Sequence, residues 1–411
     1  MTKEKVKIGL FGFGCVGQGL YDVLNNSRGF RSEIKKIVVK NPGKKRKLPI
    51  HYFAYDKNEI LNDPEINLVV ELIDNADDAF EIVKLALSNG KNVVTANKKM
   101  IAEHFEELVS LQVKYGTSVL YEASSCGSIP ILRTLEEYYD NELLKAVSGI
   151  FNGSSNYILT KMQNENIDYQ TALQQAKDLG FAESNPKLDV EGYDAKYKLM
   201  IVAGHSHGVF TRPEEVLNLG IQNLTLKDIE YAKKNNLKIR LIANTYKLDE
   251  SRITLYVTPQ FVTKDDPLYN VNYEYNAVTV EAAFSDKQLF IGKGAGGYPT
   301  GSAVLSDISA NSYSYRYEYK KFHQADKYHY STDVLIEIYA RGENSETLKE
   351  IDFETITEQG EGFTRGLVSL GELLRKKIHI NTSGIFVAAT GKHIIQPAHY
   401  AKESVEKAAL S

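Results

Sequence analysis

Two lysines and three carboxylates are the residues whose types and spacing could do chemistry together. Asp194 and Lys198 stand four apart, and the apolar periodicity of residues 195–202 predicts a helix, so the two share one face. Glu183 and Asp189 lie on the turn just ahead of that helix, which starts at Gly180 and passes through Asn185-Pro186. Carboxylates grouped in this way would hold a ligand ammonium, and an amine beside them would carry a proton. Lys98 follows the strand-like residues 92–95 by way of Ala96-Asn97. In an open α/β sheet the carboxyl ends of strands face the ligand crevice, so Lys98 would project where chemistry occurs. Taken alone, Asp194 and Lys198 read as a surface ion pair beside a solvated acidic loop; the rest of the chain argues against that.

The elements that must position these groups begin with a short buried-type strand at residues 5–11, then Gly12-Phe13-Gly14-Cys15-Val16-Gly17, then a helical run to residue 26. Between a strand and a helix each glycine of Gly-x-Gly-x-x-Gly has a task. Gly12 makes the tight turn, Gly14 lets a pyrophosphate approach the backbone, and Gly17 lets helix and strand pack closely. The phosphate would rest on the helix N-terminus. The next strand, residues 34–40, ends in Lys40-Asn41 ahead of the basic run Lys44-Lys45-Arg46-Lys47, with no carboxylate at the place where NAD enzymes usually hold the ribose. That points to a 2′-phosphate, hence NADP, with Lys40 as a partner; a solvated basic loop is the other reading. Strands at residues 68–73 and 92–95 alternate with helices at 78–87 and 101–115, which predicts a doubly wound parallel sheet. The turn Ala123-Ser124-Ser125-Cys126-Gly127-Ser128-Ile129-Pro130 offers several carbonyl oxygens of the kind that hard monovalent cations take, or is a plain strand-to-helix turn.

Composition sets the limits. With 411 residues, 43% hydrophobic and 25% charged, the chain is long enough for two or three domains, and a net charge of −4 excludes a generally basic face for nucleic acid. No apolar run approaches a membrane span and no secretory leader is legible, so neither a membrane nor a secreted location is expected. Two cysteines, Cys15 and Cys126, imply free thiols in a reducing cytoplasm.

Six stretches in this order and spacing make the chain resemble the homoserine dehydrogenases over about residues 1–320: GFGCVG (12–17), VTANKK (94–99), YEASSCGSIP (121–130), FNGSSNYIL (151–159), GFAESNPKLDVEGYDAKYK (180–198) and IGKGAGGYPTGSAVLSD (291–307). The resemblance implies reversible oxidation of L-homoserine to L-aspartate 4-semialdehyde with NAD or NADP, on the route to threonine, methionine and isoleucine. It implies Lys98 and Lys198 as catalytic lysines, and Glu183 and Asp194 as holders of the substrate ammonium, with Asp189 in support. Gly12, Gly14, Cys15, Val16 and Gly17 would meet the pyrophosphate, while Asn152, Gly153 and Ser154 would lie towards the nicotinamide and Lys98 would touch its substrate side. A monovalent cation, Na+ or K+, would fall on main-chain oxygens of Glu122, Ser125, Gly127 and Ile129. A homodimer or homotetramer is expected. Two lysines at one site would each lower the other's pKa towards the working pH.

The fold expected is α/β. Residues 1–145 with 300–320 form a Rossmann-type domain, and residues 146–299 an α+β substrate and dimerisation domain. Residues 321–411 form a small α+β module, of ferredoxin-like or regulatory type, with an amphipathic helix at 366–377. The catalytic domains would be complete without that module. The family's Gly-Gly after the fourth strand is replaced by Asp74-Asn75, which keeps open a non-catalytic nucleotide-binding protein of the same fold. His205 and His207 are expected as helix-end histidines favoured by the dipole.

Overall fold

The computed structural model describes residues 5–28, 32–141, 143–324 and 327–397. Six strands make the first sheet: β1 (Val6–Phe11), β2 (Ser32–Val38), β3 (Phe53–Ala54), β4 (Leu68–Glu71), β5 (Asn92–Thr95) and β6 (Val119–Leu120). Their order is β3-β2-β1-β4-β5-β6 and every pairing is parallel. The chain leaves β1 in one direction and later returns to its other side as β4, so a crevice opens beyond the carboxyl ends of these two strands. Gly12 makes the turn out of β1 at φ 89°, where a Cβ would lie 2.4 Å from the Leu72 carbonyl oxygen. The helix Cys15–Asn26 follows directly. Helix Gly297–Asn311 returns to pack on it so closely that a Cβ on Gly19 would meet the Gly297 oxygen at 2.1 Å.

The second sheet has eleven strands: β7 (Leu144–Ile150), β8 (Leu217–Asn218), β9 (Lys238–Lys247), β10 (Arg252–Val262), β11 (Tyr275–Ala282), β12 (Asp286–Lys293), β13 (His329–Tyr330), β14 (Val334–Arg341), β15 (Thr355–Gly360), β16 (Phe363–Ser369) and β17 (Phe386–Ile395). Its main path is β12-β11-β7-β9-β10-β17-β14-β16-β15, with the short β8 and β13 also on β10. Helix Tyr193–His207 packs between this sheet and helix Lys98–Tyr115 of the first domain. Every residue from Asp194 to His207 is buried, so this is a core helix with apolar contacts all round rather than a one-faced amphipathic helix.

The C-terminal residues depart from expectation in two ways. Residues 366–369 belong to β16, whose side chains alternate between partly and fully buried, and only then does helix Leu370–Thr382 begin. Period-two burial over Phe363–Ser369 wins over the helical reading. Second, the module is continuous with the middle of the chain. Its apolar cluster of Val334, Ile336, Ile338, Val368, Leu370 and Leu373 includes Leu217, Leu219, Leu248 and Tyr256. Arg341 also forms a bidentate pair with the buried Asp228, at 2.8 and 3.0 Å. Among the described residues no helix is long and apolar enough to cross a membrane.

Candidate active site

The core helix brings the predicted groups together around Asp194, on its first turn. The Lys98 ammonium lies 2.8 Å from one Asp194 oxygen and the Lys198 ammonium 2.8 Å from the other. Lys198 also donates to the Phe151 carbonyl at 2.8 Å, at the end of β7. Lys98 reaches the same carboxylate as the first residue of its helix, capped by Asn97, whose side chain accepts from the Met100 amide. Burial alone would raise the Asp194 carboxyl, but Lys198 and then Lys98 beside it hold it well below the usual carboxylate range. Lys98 moves the opposite way from expectation. Its pKa is raised, chiefly by Asp194, because an anion stands between the two lysines where a bare pair of cations was anticipated.

Asn152, expected as a helix cap lying towards the nicotinamide, is also the hub of this cluster. Its side-chain NH2 donates to Asp189 at 2.7 Å and to Asp194 at 2.9 Å, while its oxygen caps helix Gly153–Glu165 through the Ser155 amide. An Asn directly before a predicted helix signals only a cap; its second task needs residues 37 and 42 positions away. Burial, then the Asp194 charge, push Asp189 up to about 6. Glu183 is exposed on the same side, close enough to add to the field on Lys98, and its side chain has no hydrogen-bond or ion-pair partner among the described residues. Ser154 donates to the Phe181 carbonyl, which ties the Glu183 turn to the helix start.

A cleft of about 860 Å³ runs along the carboxyl ends of β1, β2 and β4, lined by Gly12, Gly14, Lys40, Lys44, Arg46, Asp74 and Asn75 among others. A Cβ on Gly14 would meet nothing within 4 Å, so the helix N-terminus is open to an anion, and the chain fits a dinucleotide there. Cys15 and Val16 begin the helix beside it. Lys40 is not alone: Asp78 pairs with it at 2.5 Å, so a carboxylate absent from the β2 sequence arrives from helix Ala76–Ser88. Asn75 is that helix's cap and accepts from the Asp78 amide, which gives one half of the unusual Asp74-Asn75 pair a local structural task.

Around the turn 122–129, the Ser125 hydroxyl is buried without a hydrogen-bond partner. The Glu122 and Asp307 carboxyls are buried as well, Asp307 accepting from the Glu122 amide at 2.8 Å and Glu122 from the Leu132 and Arg133 amides at 2.7 and 2.9 Å. Cys126, in the same turn, is free and buried, its thiol pushed up to about 12 by burial; Cys15 is free and exposed. His205 and His207 stand in the last turn of the core helix, as expected, and both are wholly buried. His205 sits between Glu136 at 2.7 Å and the Tyr121 hydroxyl at 2.9 Å, and burial pushes His207 down to about 3.

A switch-point crevice that fits a dinucleotide, together with two lysines held on one buried carboxylate, is the arrangement of a nucleotide-dependent enzyme. Two family models cover most of the chain: the homoserine dehydrogenase NAD-binding domain over residues 12–122 and the homoserine dehydrogenase catalytic family over residues 130–309. The chain is 36% identical to the homoserine dehydrogenase of Bacillus subtilis over 75% of its own length and 73% of the other. It is 32% identical to that of Lactococcus lactis over 90% and 93%. The solved structure of a homoserine dehydrogenase from Thiobacillus denitrificans matches 96% of this chain and 98% of that one, at a TM-score of 0.78 and 27% identity. A hyperthermophilic archaeal homoserine dehydrogenase mutant solved in complex with NADPH matches 77% of this chain and all of that one, at a TM-score of 0.66 and 28% identity. The chain belongs to the homoserine dehydrogenase family. It is an NAD(P)-dependent oxidoreductase acting on a CH–OH group, and the reading as a non-catalytic nucleotide binder falls away.

Proposed function

We propose that Asp194, Lys98 and Lys198 form the proton-handling unit for the reversible oxidation of L-homoserine to L-aspartate 4-semialdehyde. The observation that carries this is the single Asp194 carboxylate holding both ammonium groups at 2.8 Å. Glu183 and Asp189 complete an anionic rim that accepts the substrate's ammonium, with Asn152 fixing the distance between Asp189 and Asp194. The arriving ammonium competes for Asp194, so the hold of that carboxylate on Lys98 weakens and the Lys98 pKa falls as substrate binds. Substrate thereby readies Lys98 as the base for the hydroxyl proton; in the reverse direction the Lys98 ammonium returns that proton to the aldehyde oxygen. The nicotinamide, when bound, supplies the hydride acceptor. Gly153 and Ser154 would lie towards it, and Lys98 would touch its substrate side.

Gly12, Gly14, Cys15, Val16 and Gly17 hold the pyrophosphate in this reading, and Lys40 with Lys44 and Arg46 favours a 2′-phosphate, hence NADP. Main-chain oxygens of Glu122, Ser125, Gly127 and Ile129 take a monovalent cation, Na+ or K+, that stiffens the turn. The enzyme works as a homodimer or homotetramer. Residues 1–145 with 300–320 serve the nucleotide, residues 146–299 the substrate and the subunit contact, and residues 321–411 support them. The test is stopped-flow homoserine oxidation by Lys98→Ala and Lys198→Ala. Each should lose ~10²-fold or more in kcat, and turnover near wild type in both would remove the lysines from the mechanism.

A further inference from the structure

Asp189 and Asp194 are joined by a four-residue turn, Val190-Glu191-Gly192-Tyr193, and the C-terminal part of the chain grips that turn. The Glu191 carbonyl accepts from the Asn218 side-chain amide at 2.8 Å. Asn218 is fully buried on β8. Its amide oxygen accepts in turn from the Lys377 ammonium at 2.6 Å, and Lys377 lies 4.7 Å from the ring of Tyr193, the first residue of the core helix. The neighbouring segment closes over the same turn: the Ile221 amide donates to the Val190 carbonyl at 2.7 Å, and a Cβ on Gly220 would lie 2.0 Å from that oxygen. An asparagine amide can face either way. With its oxygen on the Lys377 ammonium its NH2 faces the Glu191 carbonyl, so a residue from helix Leu370–Thr382 favours the orientation that holds the turn.

We propose that Lys377 is a positioning residue for the substrate site, acting through Asn218 to set the spacing of Asp189 and Asp194. This makes the C-terminal part of the chain a component of amino-acid recognition. It rests on the reading of those two carboxylates as holders of the substrate ammonium. Nothing in the chain Lys377–Asn218–Glu191 touches the nucleotide crevice, so its effect falls on homoserine and not on the cofactor.

The experiment is steady-state kinetics of the full-length enzyme with Lys377→Met, Lys377→Arg, Asn218→Ala and the double variant Lys377→Met/Asn218→Ala. Lys377→Met should raise the KM for L-homoserine by roughly tenfold, as loss of a charge-assisted hydrogen bond in a chain of two would. The KM for NADP should stay within twofold, and the loss on 4-hydroxybutyrate, which lacks the ammonium, should be smaller than that on homoserine. Lys377→Arg, which keeps a donor and a cation over the ring, should restore most of the homoserine KM. The double variant should be no worse than the poorer single one, because both act through one chain of contacts. Wild-type homoserine KM in Lys377→Met, or additive losses in the double variant, would overturn the proposal. So would equal losses for homoserine and 4-hydroxybutyrate. If Lys377→Met fails to fold, Asn218→Ala and Lys377→Arg carry the same comparison. Asp189→Asn and Asp194→Asn made in parallel separate the two readings. Unchanged homoserine KM in those variants breaks the site assignment, whereas impaired binding there with a normal Lys377→Met breaks only the positioning role.

Discussion

Glu71→Gln tests how the crevice is held. Glu71 ends β4, is wholly buried, and accepts from the Ile73 amide at 2.6 Å and the Thr95 hydroxyl at 2.6 Å. Thr95 accepts from the Asn97 amide at 3.0 Å, and the Asn97 side chain donates back to the Ile73 carbonyl at 3.1 Å. One carboxylate thus clamps together the two turns that flank the crevice, one of which carries Lys98. Burial pushes it up from 4.5 to about 7. Folded protein therefore binds this proton more tightly than the unfolded chain. The stability it contributes is fully present below about pH 4.5 and is lost as pH rises towards and through pH 7. A shift of this size is worth ~3 kcal/mol in all, of which ~2.5 kcal/mol falls between pH 5 and pH 8. Glutamine keeps one acceptor oxygen for the Ile73 amide, offers an NH2 to the Thr95 hydroxyl in place of the second oxygen, and cannot ionise. Glu71→Gln should therefore gain ~2.5 kcal/mol on wild type as pH rises from 5 to 8, whatever its offset at pH 5. Urea unfolding at several pH values, followed by tyrosine fluorescence, measures this. Stability curves that run parallel across the range would show that Glu71 is ionised throughout and that the reasoning from burial is wrong.

Other consequences follow from the same geometry. Because Asp194 raises Lys98 and the substrate ammonium competes for Asp194, the alkaline-rising limb of kcat for homoserine oxidation should lie at lower pH than that of kcat/KM; coincident limbs would remove the substrate-assisted step. Glu183→Ala and Asp189→Ala should each impair homoserine use by ~10-fold or more while sparing 4-hydroxybutyrate, and equal losses on both substrates would show that these carboxylates do not read the ammonium. Arg341→Met leaves Asp228 buried without its cation and should cost ~3–5 kcal/mol, read as a fall in the thermal midpoint; an unchanged midpoint refutes the stitching of β14 to helix Leu226–Lys234. Lys40→Ala should raise the KM for NADP but not for NAD, and equal effects on both would leave Lys40 as Asp78's partner alone.

Much of this enzyme was legible in its sequence because the relevant physics is local. Gly12, Gly14 and Gly17 between a strand and a helix need only their neighbours to define a phosphate turn, and Lys98 beyond a parallel strand must face the crevice. The four-residue spacing placed Asp194 and Lys198 on one helical face, where they are found. What the tertiary structure decided involves pairs distant along the chain. Asn152 joins Asp189 to Asp194, Asp78 reaches Lys40, and Asp194 separates the two lysines and so reverses the shift expected of Lys98. Likewise the C-terminal strands read as an independent module because each has its own apolar face. Only the three-dimensional arrangement shows that those faces are buried against Leu217, Leu219 and Tyr256, and that Lys377 meets the start of the core helix. Local pattern fixes which face of an element is apolar and where its ends lie; which distant group meets that face or end depends on the packing of the whole chain.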